Sequence, residues 1–192
     1  MTDILITGVG GQGIVLASKL IARAAIDAGQ HVRTSETIGM SQRGGCVVSH
    51  VRVGGVQSPM IPLGNADVII GFEPAEAVRC LSYLKEGGAV IVAKKGVIPV
   101  TSSLGGGKYD PDEMIEYLKK NVDRLIVVDG DAICEQCGSA KVLNVALLGA
   151  AAAAGLPGIS PDALEQAVAS MVPAKFLEIN KMAFALGMNT CK

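Results

Sequence analysis

The sequence predicts an α/β fold of three layers (α/β/α), with a mostly parallel, partly mixed sheet and a Rossmann-like N-terminal βαβ unit. Three observations support this prediction. Short aliphatic and β-branched runs alternate with segments whose apolar residues recur at helical spacing. A glycine-rich turn joins the first such run to the first helical segment. The run from Val47 to Val53 meets Gly54 and Gly55, a pattern typical of an antiparallel hairpin, which would make the sheet mixed.

The N-terminal elements follow from apolar spacing and glycine positions. Residues 4–7 are predicted as the first strand, and apolar residues from Ile14 to Ala24 form one stripe of the first helix. Gly29 ends that helix, and residues 31–35 are predicted as the second strand of a right-handed βαβ unit. After the hairpin turn, the segment from Val56 onwards is expected to return antiparallel.

The later elements alternate between strand and helix until residue 131, after which the pattern is helical. Predicted strands are Asp67–Phe72, Ala89–Ala93 and Leu125–Val128. Predicted helices are one from Pro74 striped by Ala77, Leu81 and Leu84 and stopped by Gly87, one from Pro111 capped by Asp110, Ala132–Gly138, Ala140–Ala154, one from Pro161 capped by Ser160, and a last one striped by Ile179, Met182, Ala183 and Leu186. We expect residues 1–192 to form one domain.

Composition excludes several functions and favours subunit contacts. The hydrophobic share is 49% and the charged share 18%, so the polar cover is thin and subunit contacts, including possible self-association, are expected. A net charge of -1 gives no electrostatic case for nucleic acid or an anionic membrane. The apolar run Val145–Gly155 is too short for a membrane span. Five cysteines without a framework spacing predict reduced thiols and a cytoplasmic protein; they are Cys46, Cys80, Cys134, Cys137 and Cys191.

The glycine turn is the first candidate site. The spacing of Gly8, Gly10 and Gly13 matches the dinucleotide fingerprint, in which backbone amides approach a phosphate at a helix N-terminus. The same turn also serves plain strand-to-helix packing, so phosphate contact and packing both stay open. Glu36 stands where such a site needs its acidic residue, but residues 37–45 continue as a distinctive loop, which argues against an ordinary NAD site.

The loop of residues 36–45 is the second candidate site. It carries one arginine, Arg43, among small and amide side chains, a composition able to hold a carboxylate or a phosphate. The alternative is a solvated loop with a surface arginine. We favour a site, because the loop leaves the same end of the sheet as the glycine turn, where α/β proteins bind ligands.

Other chemical motifs are weak. Cys134 and Cys137 form a single pair inside a predicted helix, so a structural role is favoured over a redox or metal role. His31 and His50 have no ligand-type residues at metal spacing and are predicted to be packing residues. No residue is predicted to be catalytic, and no metal site is predicted.

Several segments carry a resemblance to a known family. Ile4–Gly13 and Thr34–Gly45 together resemble the gamma-type domain of the 2-oxoacid:ferredoxin oxidoreductases. Further segments resemble the beta subunits of indolepyruvate:ferredoxin oxidoreductases within that family, namely Val48–Arg52, Ser58–Pro62, Ala66–Asp67, Phe72–Ala77, Asn144–Ala150 and Val172–Phe176. The sequence departs from the family where Cys46 replaces an expected small residue and where Cys134 and Cys137 occur.

The resemblance implies a small subunit that supports oxidative decarboxylation of aryl 2-oxoacids, such as indolepyruvate, to acyl-CoA, with electrons passed to ferredoxin. It implies a large partner subunit that holds thiamine diphosphate, magnesium and iron–sulfur clusters, coenzyme A as co-substrate, and no activity of this chain alone. By position, the resemblance carries over these residues as contacts of the cofactor or coenzyme A channel: Gly10, Gly11, Gln12, Gly13, Glu36, Met40, Ser41, Gln42 and Arg43.

Three alternatives remain open at the level of sequence. One is the gamma subunit of a pyruvate, 2-oxoisovalerate or 2-oxoglutarate enzyme, because pockets in other chains largely set substrate choice. A second is a self-sufficient NAD(P)-dependent dehydrogenase, supported only by the glycine turn and Glu36. A third is a nucleotide-sensing regulator that binds without turnover.

Overall fold

A computed structural model describes residues 1–39, 45–97 and 109–190. Within these ranges, the strands are Thr2–Val9 (β1), Val32–Ile38 (β2), Cys46–Val53 (β3), Ala66–Gly71 (β4), Leu84–Ala93 (β5) and Arg124–Val128 (β6). The α-helices are Ile14–Asp27 (α1), Pro74–Arg79 (α2), Pro111–Asn121 (α3), Gly130–Gln136 (α4), Leu143–Ala154 (α5), Pro161–Met171 (α6) and Leu177–Asn189 (α7). Single 3₁₀ turns lie at Leu81–Tyr83, Ala140–Val142 and Ala174–Phe176.

The strands form one mixed sheet in the order β2-β3-β1-β4-β5-β6. The pairs β1–β4, β4–β5 and β5–β6 are parallel, while β3 is antiparallel to both β1 and β2. This confirms the mixed sheet. In the N-terminal β1–α1–β2 unit, the two strands are therefore not neighbours in the sheet, because β3 lies between them.

The hairpin predicted after Gly54 is wrong. β3 already has a neighbour on each side, since Val53 faces both Thr2 of β1 and Val32 of β2. A strand returning from Val56 would therefore find no free edge of β3 to pair with. Instead, Arg52 holds the segment that follows, because its Nη1 donates to the carbonyl oxygens of Ser58 at 3.2 Å and Met60 at 3.0 Å.

The helix predicted from Pro74 is shorter than expected. It ends at Arg79, and Leu84 to Gly88 belong to β5. The glycine pair there marks an irregularity in the pairing of β4 with β5, which passes from Ala66↔Leu84 to Val68↔Ala89. A Cβ on Gly88 would lie 3.1 Å from the carbonyl oxygen of Ala66, so the glycine permits a close approach between strands and does not stop a helix.

Alternation along the strands confirms the three layers. Ile4 and Ile6 of β1 pack in the larger core cluster with α1, α5, α6 and α7. Leu5 packs on the other face in a smaller cluster with α2 and α3. Helix α5 is buried along most of its length, which explains why its sequence is apolar throughout.

The predicted helix starts are confirmed at two caps. The Asp110 carboxylate accepts from the amide of Asp112 at 2.9 Å, and Ser160 Oγ accepts from the amide of Ala163 at 3.2 Å. The predicted stripe of α7 is wrong at Met182, which is exposed, whereas Ala183 is buried. No helix in the described ranges is long and apolar enough to span a bilayer.

Candidate functional site

The glycine turn lies at the carboxyl end of β1, at the edge of the sheet where parallel strands end. Gly11 has φ +101° and Gly13, the N-cap of α1, has φ +86°. Both are left-handed conformations that only glycine adopts without strain. Gly11 is exposed, and a Cβ there would meet no described atom within 4 Å, so the described part of the chain leaves room for a neighbour to approach its backbone closely.

Gln12 braces the turn. The amide of Val9 donates to Gln12 Oε1 at 2.8 Å, and Gln12 Nε2 donates to the carbonyl oxygen of Phe72 at 3.0 Å. The side chain therefore joins the end of β1 to the end of β4. The amide of Gly10 donates to the carbonyl oxygen of Gly45 at 2.8 Å. The side-chain amide of Gln12 and the backbone amide of Gly10 are therefore already paired within the chain.

Gly13 connects the turn to α5. An ideal Cβ on Gly13 would lie 2.9 Å from Nδ2 of Asn144, a buried residue in the first turn of α5. The Asn144 side chain is itself fixed, because its Oδ1 accepts from the amide of Val145 at 2.9 Å. Gly13 is therefore required by packing within the chain, as well as by its left-handed backbone.

Glu36 lies in β2, on the far side of β3 from the glycine turn. Its carboxylate is exposed and accepts from Ser18 Oγ of α1 at 3.2 Å. In an ordinary dinucleotide site the acidic residue ends the strand adjacent to the turn. Here one strand intervenes, which adds about 5 Å, so this placement weakens the case for a stand-alone NAD site.

Four candidate residues, Met40, Ser41, Gln42 and Arg43, lie outside the described residues. Their roles stay predictions.

A buried acidic group near the turn was missed at the level of sequence. Glu73, at the end of β4, is 2% exposed and caps α2 by accepting from the amide of Glu76 at 3.0 Å. The hydroxyl of Tyr109 donates to Glu73. Burial and the neighbouring Glu73 carboxylate raise the pKa of Tyr109, so its hydroxyl stays a donor at neutral pH.

Of the two buried glutamates, Glu76 has fewer of its hydrogen-bond acceptors paired. Its side chain is 8% exposed, and Arg79 lies 3.4 Å from its Oε1. Its buried Oε2 has no hydrogen-bond partner among the described residues. An unpaired buried acceptor is rare and often marks a functional surface.

Two thiols lie beside this acidic group. Burial, followed by the neighbouring Glu76 carboxylate, raises the pKa of Cys46 from 9.0 to about 12. Burial also raises the pKa of Cys80, whose Sγ lies 3.4 Å from Thr7 Oγ1. Both thiols are therefore protonated at neutral pH, and neither is an activated nucleophile.

The cysteine pair and His50 have structural surroundings, whereas His31 is exposed, so the packing role predicted for it is wrong. Burial raises the pKa of Cys134 and of Cys137, and both are free thiols in and after α4. His50 is buried, and its Nδ1 accepts from the amide of Ile61 at 3.2 Å, which agrees with a packing role. Within the described ranges, no three His, Cys, Asp or Glu side chains converge as metal ligands.

Among the described residues, the carboxyl edge offers groups that can bind a ligand and no activated nucleophile. Gly11 offers accessible backbone, and Glu73 and Glu76 offer acceptors for hydrogen-bond donors or cations. A signal for Glu73 exists in the sequence, since a glutamate that follows a buried strand and precedes a proline is well placed to cap a helix. Its partner Tyr109 lies 36 positions away, which short-range spacing does not reveal.

Comparison with known proteins identifies the family. The family model for pyruvate ferredoxin/flavodoxin oxidoreductase matches residues 3–190. The chain is 40% identical over 188 residues to the indolepyruvate oxidoreductase subunit IorB of Archaeoglobus fulgidus, covering 97% of this chain and 94% of that protein. It is 28% identical over 187 residues to the common gamma subunit of the pyruvate/ketoisovalerate oxidoreductases of Pyrococcus furiosus, covering 95% and 93%.

A solved structure extends the likeness to three dimensions. The gamma subunit of a keto/oxoacid ferredoxin oxidoreductase from Geobacter sulfurreducens matches with a TM-score of 0.72 and 26% identity, covering 99% of this chain and 98% of that one. Family model, sequence relatives and fold agree over nearly the whole chain. The chain therefore belongs to the pyruvate ferredoxin/flavodoxin oxidoreductase family, as a small subunit of a 2-oxoacid:ferredoxin oxidoreductase.

Proposed function

We propose that this chain is the small subunit of a thiamine-dependent indolepyruvate:ferredoxin oxidoreductase, working as one gamma-type domain over residues 1–192. The complex oxidatively decarboxylates aryl 2-oxoacids to aryl-acetyl-CoA and passes the electrons to ferredoxin. The supporting observation is the contrast between 40% identity to an indolepyruvate oxidoreductase subunit and 28% identity to a pyruvate/ketoisovalerate gamma subunit, both over nearly the full chain.

The heavy cofactors belong to the large partner subunit in this proposal. An iron–sulfur cluster of the ferredoxin type needs four cysteine ligands, and this sequence has a single closely spaced pair, Cys134 and Cys137. Thiamine diphosphate supplies the electron sink for decarboxylation when it is bound. This chain's own contribution is to bind and orient at the edge of that active site.

The residues proposed to do so are those of the glycine turn and the loop after β2. Exposed Gly11 provides the point of closest backbone approach, and Gln12 holds the turn in place through Val9 and Phe72. Glu36, which accepts a hydrogen bond from Ser18, is followed in the sequence by Met40, Ser41, Gln42 and Arg43. In this proposal these residues line the coenzyme A or cofactor channel at the interface between the subunits.

Reconstitution tests the proposal. The purified chain, the purified large subunit from the same genome and their mixture are each assayed with indolepyruvate, coenzyme A and methyl viologen. We expect viologen reduction by the mixture and none by this chain alone, because nothing in it can stabilise the acyl carbanion. Turnover by the chain alone, or none by the mixture, contradicts the proposal.

Substrate comparison separates the nearest alternative. We expect the highest kcat/KM with indolepyruvate among indolepyruvate, pyruvate, 2-oxoisovalerate and 2-oxoglutarate. A preference for one of the last three would reassign the chain as a gamma subunit of that enzyme. Calorimetry of the isolated chain with NAD⁺ and NADP⁺ tests the dehydrogenase and sensor alternatives, for which tight binding is the expected result.

Arg43 provides the sharpest test of the proposed site residues. A guanidinium that holds an anionic group contributes about 1.5 to 3 kcal/mol. We expect Arg43→Ala to raise the apparent KM for one anionic reactant by roughly tenfold or more, and Arg43→Lys to restore only part, because the planar fork is lost. Weakened subunit binding with unchanged kinetics at saturating partner would make Arg43 an assembly residue.

A further inference from the structure

A pocket of about 160 Å³ lies beside the glycine turn, on the helical face of the sheet that carries α5, α6 and α7. It is bounded by the first turn of α1, the start of α5, the end of α6 and the start of α7. Its apolar lining includes Leu16, Val142, Met171, Val172, Phe176 and Ile179. Asn144 also lines it and contacts Gly13 from the other side, so the pocket and the turn are neighbours.

Three large apolar side chains around this pocket are half exposed. Leu16 is 37%, Met171 37% and Phe176 40% accessible, and they come from α1, the end of α6 and the 3₁₀ turn before α7. Other exposed apolar residues, such as Ile26 and Met182, do not line this pocket. Apolar side chains that converge on one concave patch are typical of an anchor site for a partner protein.

The polar groups around the pocket indicate which kind of partner side chain would fit there. Asn144 Oδ1 accepts from the amide of Val145, and Asn180 Nδ2 donates to the carbonyl oxygen of Phe176, so both side chains already have partners within the chain. Lys141 lines the pocket, and Lys175 Nζ lies 4.8 Å from the centre of the Phe176 ring. Neither lysine forms an ion pair with another described residue. The patch therefore suits an apolar side chain flanked by carboxylates.

We propose that the large partner subunit docks here, inserting an apolar side chain between Leu16, Met171 and Phe176, with adjacent carboxylates paired to Lys141 and Lys175. The inference rests on the proposed function, and it is supported by the relatives, which are named as subunits. Docking here would bring the partner against the α1 N-terminus. It would leave the exposed backbone of Gly11 next to the partner's own site.

Matched glutamate substitutions test the apolar contact. Leu16→Glu and Phe176→Glu are compared with Ile26→Glu, which is exposed at the other end of α1, and with Met182→Glu, which is exposed on α7. Binding to the large subunit is measured by calorimetry. We expect each pocket variant to weaken affinity by roughly tenfold or more and each control by less than about threefold, with unchanged melting temperatures. At saturating large subunit, kcat should return to the wild-type value.

Charge substitution tests the flanking contacts. Lys141→Glu and Lys175→Glu should weaken subunit binding and reduce its dependence on salt, whereas Lys120→Glu on α3, across the sheet, should not. Pocket variants that bind like the wild type would overturn the inference.

Two other outcomes would also overturn it. If the pocket variants abolish self-association of the isolated chain but bind the large subunit normally, the occupant is a second copy. If they raise the KM for coenzyme A while subunit affinity is unchanged, the pocket holds a small ligand. If the wild-type chain does not bind the large subunit, the proposed function itself is wrong. This result is obtained before any substitution is made, so it is distinguished from a failure of the docking inference.

Discussion

The two ends of the parallel strands both carry buried charges, but the chain satisfies them to different degrees. At the amino end, Arg52 Nε lies 2.8 Å from Asp3 Oδ1 and its Nη2 lies 3.0 Å from Oδ2, a two-pronged pair. At the carboxyl end, Glu73 and Glu76 are buried, and Glu76 pairs with the exposed Arg79, whereas Glu73 forms no ion pair with a described residue. The charged pair at the amino end is satisfied within this chain, whereas at the carboxyl end Glu76 Oε2 has no donor among the described residues.

The amino end is further tied to its surroundings. The amide of Asp3 donates to Asp67 Oδ2 at 2.7 Å, and Lys85 pairs with the same carboxylate. Arg52 also donates to the carbonyl oxygens of Ser58 and Met60. The difference teaches that the amino end stabilises the fold, while the carboxyl end keeps a buried acceptor that no described residue satisfies.

The largest expected effect is at the amino end. Arg52→Ala leaves Asp3 as a buried charge without its partner, which should lower the free energy of unfolding by about 3 to 5 kcal/mol. Denaturant titration of the isolated chain measures this loss. The matched control is Arg23→Ala, which removes a solvent-exposed pair with Asp27 on α1 and should lower the free energy of unfolding far less, because solvent screens an exposed ion pair. Equal losses of unfolding free energy in the two variants would show that the buried pair stabilises the fold no more than the exposed pair does.

An intermediate effect is expected at the glycine turn. Gly13→Val places a branched side chain at φ +86° against Asn144, so it should lose about 1 to 2 kcal/mol from strain alone and more from the contact. Gly11→Ala carries the same kind of strain but meets no atom of the described residues. Thermal melts of both variants measure the difference.

A substitution at Gly11 separates an effect on stability from an effect on binding to a neighbour. Gly29→Ala is its control, since Gly29 also has a positive φ and open space but lies at the other end of α1. We expect the two alanine variants to lose similar stability, and only Gly11→Ala to weaken activity of the reconstituted complex. If the complex tolerates both equally, no neighbour approaches Gly11.

The smallest expected effect concerns Cys46. Glu76, Cys80 and Arg79 are the charged or titratable groups that act on it, and burial is the first cause of its raised pKa. Glu76→Gln removes a group that raises the pKa, so the pKa should fall while staying above its usual value. Below that pKa, each unit of decrease gives roughly tenfold more thiolate, and alkylation at pH 9 should accelerate accordingly. Cys134, read in the same mass spectra, should keep its rate.

The same raised pKa links stability to pH. The unfolded thiol ionises near pH 9.0, whereas folded Cys46 stays protonated to about pH 12. Its contribution to stability is therefore complete below pH 9 and is lost as pH rises from 9 through about 12. Cys46→Ser should flatten this part of the stability profile, and an unchanged profile would contradict the assigned cause.

Local patterns predicted much of the fold. Most strand runs, the glycine turn and the caps Asp110 and Ser160 depend on neighbours within a few residues, and these are confirmed, whereas the strand predicted to return from Val56 is not formed. The insertion of β3 between β1 and β2 was not predicted, because pairing depends on edges that distant strands supply. The sequence could not reveal that both edges of β3 were already taken.

The candidate site divides in the same way. Positive φ at Gly13 agrees with the spacing of Gly8, Gly10 and Gly13, which is a local signal, whereas Gly11, which also has a positive φ, is not one of those three glycines. The contacts Gly13 to Asn144 and Tyr109 to Glu73 join residues far apart in sequence, so periodicity could not indicate them. The same holds for the brace from Gln12 to Phe72, which gives the turn its shape through a strand 60 positions away.

Helices α5 and α7 cross with their backbones in direct contact. A Cβ on Gly149 would overlap the carbonyl oxygen of Phe184, and a Cβ on Gly187 would overlap that of Ala146. Because backbone contacts of this kind leave little room for relative movement, the two helices behave as one unit. The pocket beside the turn is lined from the first turns of both, so its walls are set before anything binds. Association there would carry a small ordering entropy and a negative heat-capacity change from apolar burial, and a calorimetric temperature series could read both.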